Sequence, residues 1–215
     1  NDTVAGQIDI GVFETVAPLY LPRLIAGFRQ RYPGVDIRMR DGEQQELIQG
    51  LTSGAFDLAF LYDHYLDNTI ETEPLMPPQK PYVLLPHKHR FAGQRQVSLR
   101  DLCPEPMILL DVAPSRTYFV SLFNDLGLTP NIVFSSPSIE MVRGMVGQGF
   151  GFSLLVTRPN SECTYDGQKV VAVDIAEPVE LSGLVTAKLK RVQLTRPAQL
   201  FVDFCREELS ATSAS

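Results

Sequence analysis

The 215-residue sequence has no tryptophan, only three cysteines and three histidines, and no long apolar run. A stretch such as Phe152-Ser153-Leu154-Leu155-Val156 is far short of the roughly 18–20 apolar residues that cross a bilayer as a helix, so no membrane association is expected. Cys103, Cys163 and Cys205 are odd in number, widely spaced and without a C-x-x-C pair. That usage predicts neither a disulfide framework nor a zinc ribbon, and fits reduced thiols in a cytosolic protein. Basic residues are also scarce: 19 Lys+Arg face 25 Asp+Glu, a net charge of −6, and the densest basic segment is Lys188-Leu189-Lys190-Arg191. Gripping a nucleic-acid backbone needs concentrated Lys and Arg, so this polypeptide is not itself expected to do so. The chain opens at Asn1 with no basic-then-apolar stretch, so a secretory leader is expected to be absent or already removed, and the chain reads as a fragment of something longer.

What the sequence does have is a repeated strand-helix rhythm. Ile8, Ile10 and Val12 alternate as one face of a strand. A helix then opens near Thr15, with Leu21, Leu24, Ile25, Phe28 and Tyr32 at helical spacing and Pro33-Gly34 as its stop. Pro22 tolerates only a first turn or a kink, which pushes the expected start toward Leu19. A strand over Val35–Met39, a helix from Gln44 to Ser53 and a fully apolar strand over Leu58–Leu61 follow. Four prolines in the eight residues from Pro74 to Pro81 exclude helix interior or central strand there and mark the route into a second lobe.

That second lobe repeats the rhythm. Strands are expected at Tyr82–Leu85, Met107–Leu110, Asn131–Phe134, Phe152–Val156 and Val170–Val173. Helices are expected at Ser98–Leu102, from about Thr117 to Leu126, and from Ser136 or Ser138 to Val146. A last strand from Leu181 to Lys188 and a helix from Pro197 to Leu209, with Leu200, Phe201, Phe204, Cys205 and Leu209 apolar, need a core and return to the first lobe. The expected organisation is therefore residues 1–80 as lobe I, 81–180 as lobe II and 181–215 as the return. Both lobes are α/β, each with a mixed, mostly parallel sheet and flanking helices. Ligands of such folds sit outside the carboxyl ends of the strands, where helix N-termini point inward, so a cleft between the lobes is the expected binding place.

Several local motifs argue against other chemistries. Gly147-Gln148-Gly149-Phe150-Gly151 resembles a phosphate loop, but it leaves a helix and enters a strand, the reverse of the order that aims amides at a phosphate. It reads as a helix cap with close backbone packing. Ser153 lacks the second glycine and following helix of a nucleophile elbow. His87-Lys88-His89 has no third metal ligand beside it, and His64 reads as a hydrogen-bonded loop residue. Neither metal nor cofactor is expected. By contrast Thr15, Gln44, Ser115, Thr117, Ser136 and Ser138 all stand where a strand has ended and a helix begins. Each alone is an N-cap candidate; together they line one end of the strands. Arg116 is the cation placed among them to meet a carboxylate.

The order of Leu21-Pro22, Phe28-Arg29-Gln30-Arg31-Tyr32-Pro33, Gly54-Ala55-Phe56-Asp57-Leu58-Ala59-Phe60, Val97-Ser98-Leu99-Arg100-Asp101-Leu102, Phe123-Asn124-Asp125-Leu126-Gly127-Leu128 and Met145 to Phe152 resembles the effector-binding domain of LysR-type transcriptional regulators. The likeness runs from Ile8 to Leu209. It implies a two-lobed, type 2 periplasmic-binding-protein-like fold within a cytoplasmic transcription factor. Promoter DNA would be contacted by a winged helix-turn-helix and linker helix preceding Asn1. It also implies a homodimer or homotetramer, pairing the first lobe of one subunit with the second lobe of another. Carried over by position, the effector-binding residues are Thr15, Gln44, Tyr62, Ser115, Arg116, Thr117, Ser136, Ser138 and Phe150. The effector is expected to be small and anionic, as many carboxylates are. The redox cysteine pair of the peroxide-sensing branch has no counterpart here.

The expected function is sensing, not catalysis. Two alternatives share the scaffold: an extracytoplasmic solute-binding protein of a transporter, and a dehydratase or lyase. The latter needs a positioned acid or base, for which Glu14, Asp63, His64 and Asp111 are the candidates.

Overall fold

A computed structural model describes residues 3–213 of the chain. In chain order the first elements are β1 (Ala5–Phe13), α1 (Ala17–Arg31), β2 (Gly34–Gly42), α2 (Gln44–Ser53), β3 (Leu58–Tyr62) and β4 (Ile70–Pro74). They are followed by β5 (Tyr82–Pro86), β6 (Gln96–Val97), α3 (Leu99–Leu102), β7 (Pro106–Leu110), α4 (Ser115–Asn124) and β8 (Asn131–Ser136). The chain continues with α5 (Ile139–Gly147), β9 (Ser153–Leu155), β10 (Val170–Ile175), β11 (Leu184–Leu189) and α6 (Arg196–Ser213). Two compact units result: one runs to Pro78 and resumes at Gly183, and the other is Gln79–Ser182.

The first unit is built on a five-stranded sheet in the order β2-β1-β3-β11-β4. β1 runs parallel to β2 from Ala5 opposite Gly34 to Phe13 opposite Gly42, and parallel to β3 on its other side. The alternation of Ile8, Ile10 and Val12 seats all three in the core, and every residue of β3 is buried, as a strand covered on both faces requires. α1 buries Leu21, Leu24 and Phe28. Phe28 meets Phe201 of α6 edge-on at 5.0 Å, and Phe201 stacks on Phe60 of β3 at 5.9 Å. The last helix therefore closes the core of the first unit, which is why its apolar stripe finds no partner nearby in sequence.

α1 starts at Ala17, with Pro18 in its first turn and Pro22 inside it, not near Leu19. Pro22 has no N–H to give the Pro18 carbonyl, but both prolines lie on the exposed face, where solvent replaces the missing bond. β4 and β6 were not legible as strands. β4 (Ile70-Glu71-Thr72-Glu73-Pro74) is an edge strand whose Glu71 pairs with Lys188 at 2.6 Å and Glu73 with Arg206 at 3.0 Å; its charge is the usual protection of an edge. β6 is two residues held by β10.

The second unit has a four-stranded sheet in the order β6-β10-β5-β9 and the parallel pair β7-β8. Met107 and Phe152 bridge in parallel, which sets β9 alongside β7 in the same direction. The expectation of mostly parallel sheets needs correction. Four of the eight strand pairings are parallel and four antiparallel. β5 and β11 each enter their unit directly from a crossing segment, with no helix to carry the chain back, so they run against their neighbours. Met107–Leu109, Tyr118, Phe119, Phe123, Val142, Val146 and Phe152 form the core of this unit.

The glycine-rich segment is structural. Gly149 has φ +88°, and a Cβ on Gly151 would lie 2.3 Å from the Pro106 carbonyl oxygen. Phe152 N–H donates to that same carbonyl at 3.0 Å. No helix among the described residues is long and apolar enough to cross a membrane.

Candidate functional site

In the first unit, β1, β2 and β3 run in one direction, so their carboxyl ends share one edge. Thr15 lies two residues past β1, Gln44 two past β2, and Tyr62 ends β3. All three are buried, with 4%, 7% and 6% exposure. Glu14 N–H donates to the Gly42 carbonyl at 3.1 Å and ties the first two ends together. Gln44 Nε2 donates to the His64 carbonyl at 2.9 Å and ties in the third. His64 is itself buried, as a hydrogen-bonded loop residue.

Gln44 opens α2 beneath a capping box, in which Glu43 and Glu46 exchange bonds with each other's backbone N–H. Because Nε2 is committed to a carbonyl, the amide cannot flip without setting oxygen against oxygen. Its Oε1 is buried with no hydrogen-bond partner. An orphaned buried acceptor costs about 1–3 kcal/mol, and here it stands on the edge where ligands of this architecture bind. The same edge is acidic. Burial, and then the neighbouring Glu43, Asp41 and Glu46 carboxylates, hold the Glu14 carboxyl above its ordinary pKa.

In the second unit, β7 and β8 run parallel with Leu110 opposite Ser136. Asp111 N–H donates to the Ser136 carbonyl at 2.8 Å, joining the two carboxyl ends. Ser115, Arg116 and Thr117 form the first turn of α4, with Thr117 and Arg116 exposed. Arg116 Nη1 lies 3.1 Å from Asp111 Oδ2, both half-exposed; such a pair holds little energy and leaves the guanidinium available. Ser136 Oγ accepts from Ser138 N–H at 3.2 Å, and Ser138 Oγ caps α5 by accepting from Met141 N–H at 3.3 Å. The five polar residues expected in this unit are thus gathered on one edge.

Phe150 is not among them. It precedes β9, and β9 runs parallel to β7 with Phe152 beside Pro106 and Met107, so Phe150 lies at the amino end of β7, opposite Asp111 and Ser136. The residues that reach the carboxyl edge are those following β9. Thr157 is one, 4% exposed, with its carbonyl accepting from Tyr82 Oη at 2.8 Å. Sequence reasoning missed it. The signal was present in the end of the apolar strand at Val156, but was read from the wrong end of that strand.

Among the described residues no group of three or more His, Cys, Asp or Glu is arranged to hold a metal ion. His89 instead contacts Glu105 at 2.5 Å. The cysteines are all free: Cys163 is exposed, Cys103 half-buried and Cys205 buried.

Residues 1–210 match the family model described as the LysR substrate binding domain. The chain belongs to that family. Its fold matches the crystal structure of HinK, a LysR family transcriptional regulator from Pseudomonas aeruginosa, with TM-score 0.95 and 81% identity over 98% of this chain and 73% of that one. It is 28% identical over 212 residues to the uncharacterized HTH-type transcriptional regulator YvbU of Bacillus subtilis (strain 168), covering 96% of this chain and 68% of the relative. The chain thus spans about two thirds to three quarters of these LysR-family proteins. The effector-binding domain of QuiR in complex with shikimate shares the fold at TM-score 0.81 and 24% identity, over 95% of this chain and 97% of that one. The LysR effector-binding domain is a periplasmic-binding-protein-like fold, and this chain has it.

Proposed function

We propose that this domain senses a small metabolite that presents hydrogen-bond donors to the strand-end edge of the first unit. The observation that carries the reading is the orphaned Oε1 of Gln44 on the strand-end edge of the first unit. A buried acceptor whose orientation is fixed asks for an N–H or O–H, and the Glu14, Asp41, Glu43 and Glu46 carboxylates around that edge repel an anion. The strand-end edge of the second unit differs in carrying a cation, Arg116, paired with Asp111 beside the first turn of α4. Hydroxy acids and amino acids offer such donors, and shikimate, the molecule bound by QuiR, is a hydroxy acid.

In the whole protein this domain would be joined to a winged helix-turn-helix that contacts promoter DNA in the cytoplasm, and would work as a homodimer or homotetramer without membrane attachment. Binding shifts the regulator only as far as the effector prefers one arrangement over another. The domain would act without catalysis. The strand-end edges offer hydrogen-bond acceptors and donors and the Arg116 guanidinium, groups suited to binding a ligand.

Thermal unfolding in the presence of hydroxy acids, amino acids and plain carboxylates tests the reading. A hydroxy or amino acid should raise Tm more than the plain carboxylate of the same carbon skeleton. Thr15→Ala with Thr117→Ala should remove that rise and the effector response of the full-length regulator. An intact response in the double variant rejects the assignment.

A further inference from the structure

A polar cavity lies wholly within the Gln79–Ser182 unit, and none of the nine residues expected to touch the effector lines it. It encloses about 280 Å3, just below the usual range of small-ligand pockets. Leu84 and Ala172, directly opposite each other on β5 and β10, form its apolar floor with Val170. Arg143 of α5 and the segment 158–162 supply the walls.

Arg143 is 3% exposed, a costly place for a guanidinium. Its Nε donates to Glu140 Oε2 at 3.1 Å, and its Nη2 to the carbonyls of Ser161 and Cys163 at 2.9 and 3.3 Å. Those bonds use three of its five N–H donors. The two on Nη1 have no hydrogen-bond partner among the described residues, and the side chain forms part of the cavity wall. Arg158 is the second cation, its Cζ 5.5 Å from the centre of the Tyr82 ring. Glu140 neutralises Arg143 and also accepts from Tyr165 N–H, and Glu162 is the carboxylate of the lining itself. Unused guanidinium donors and an apolar floor describe the two ends of one kind of molecule.

We propose that this cavity is a second ligand site of the domain, separate from the effector residues, for a small carboxylate with an apolar body. The carboxylate accepts from Arg143 Nη1 and Arg158, and the body lies on Leu84, Val170 and Ala172.

Calorimetric titration of the chain with 4-bromobenzoate, and with 4-bromobenzamide as its neutral isostere, tests this directly. The acid should bind in the millimolar range or tighter and the amide about tenfold more weakly, the difference expected of a charge-assisted hydrogen bond. Arg158→Met, at an exposed position, should weaken the acid about tenfold, and Ala172→Phe should abolish binding by filling the floor. In a soaked crystal the anomalous bromine signal should lie over Leu84 and Ala172. No heat from the acid, a bromine peak only elsewhere, or an Arg158→Met variant that binds like the parent overturns the proposal. If Ala172→Phe proves unfolded by circular dichroism, Arg158→Met and the bromine position decide.

Discussion

Gln44 donates from Nε2 to the carbonyl of His64 at 2.9 Å, and that one bond fixes which end of the amide remains to be satisfied. Gln44→Leu removes a made hydrogen bond and an unmade one together, so the stability of the free domain should change by less than about 1 kcal/mol. The Tm rise given by a hydroxy or amino acid should be lost. A variant that keeps the full rise would show that Oε1 does not read the effector.

Two glycines of the same motif should respond differently to alanine. At Gly151 the new Cβ meets backbone, the Pro106 carbonyl at 2.3 Å, and relief requires separating β7 from the start of β9. Urea unfolding should show a loss of about 2–3 kcal/mol. At Gly149 nothing lies near the Cβ and only the positive φ is strained, so the loss should be about 1 kcal/mol. The reverse order would contradict the close approach at Gly151.

Glu177 gives the domain an acid-sensitive cap. Burial opposes its charge, but the Leu99 N–H at 2.9 Å and the Ser98 hydroxyl more than compensate, and its carboxyl is held below the ordinary range. A lowered folded pKa stabilises fully above the unfolded value, near 4.3, and that stabilisation is lost as pH falls through the lowered value. Tm measured from pH 7 down to pH 3 should drop, and Glu177→Gln should be less stable at pH 7 with a shallower drop. Parallel curves would assign the acid response elsewhere.

β8 has β7 on one side only, and Ile132 and Val133 are 36% and 53% exposed on it. An edge strand with exposed apolar side chains is a pairing surface unless charge protects it. Val133→Lys should shift the mass measured by light scattering toward the monomer while leaving the unfolding temperature of the dilute protein unchanged. An unchanged mass would show that β8 makes no contact between copies of the chain.

Alternation and helical spacing determined most of the elements, because side-chain burial follows period 2 in strands and 3.6 in helices. Ile8, Ile10 and Val12 bury as their alternation requires, and the hydroxyls and amides that follow strands do gather on shared edges. Their position follows from chain direction alone, once the strands are parallel. Direction is also what local pattern does not encode. β5 and β9 are apolar runs that look alike in sequence, yet β5 is antiparallel to its neighbours while β9 follows β7. That difference moves Phe150 to the far end of the sheet and brings Thr157 to the near one. The charged strand β4 was hidden because its carboxylates pair with Lys188 and Arg206, more than a hundred residues away.

By itself the sequence determined the alternating α/β elements, the exclusion of a membrane helix and the family to which the chain belongs. Only the tertiary structure decided which end of each strand meets which. Strand-end groups from distant segments acquire partners, or are left without one like Gln44 Oε1, only when long-range pairing sets their neighbours, and no local pattern records that pairing. The same holds for Arg143, an ordinary helix residue in sequence. It becomes a buried guanidinium with two unused donors because Ser161 and Cys163 fold back over it.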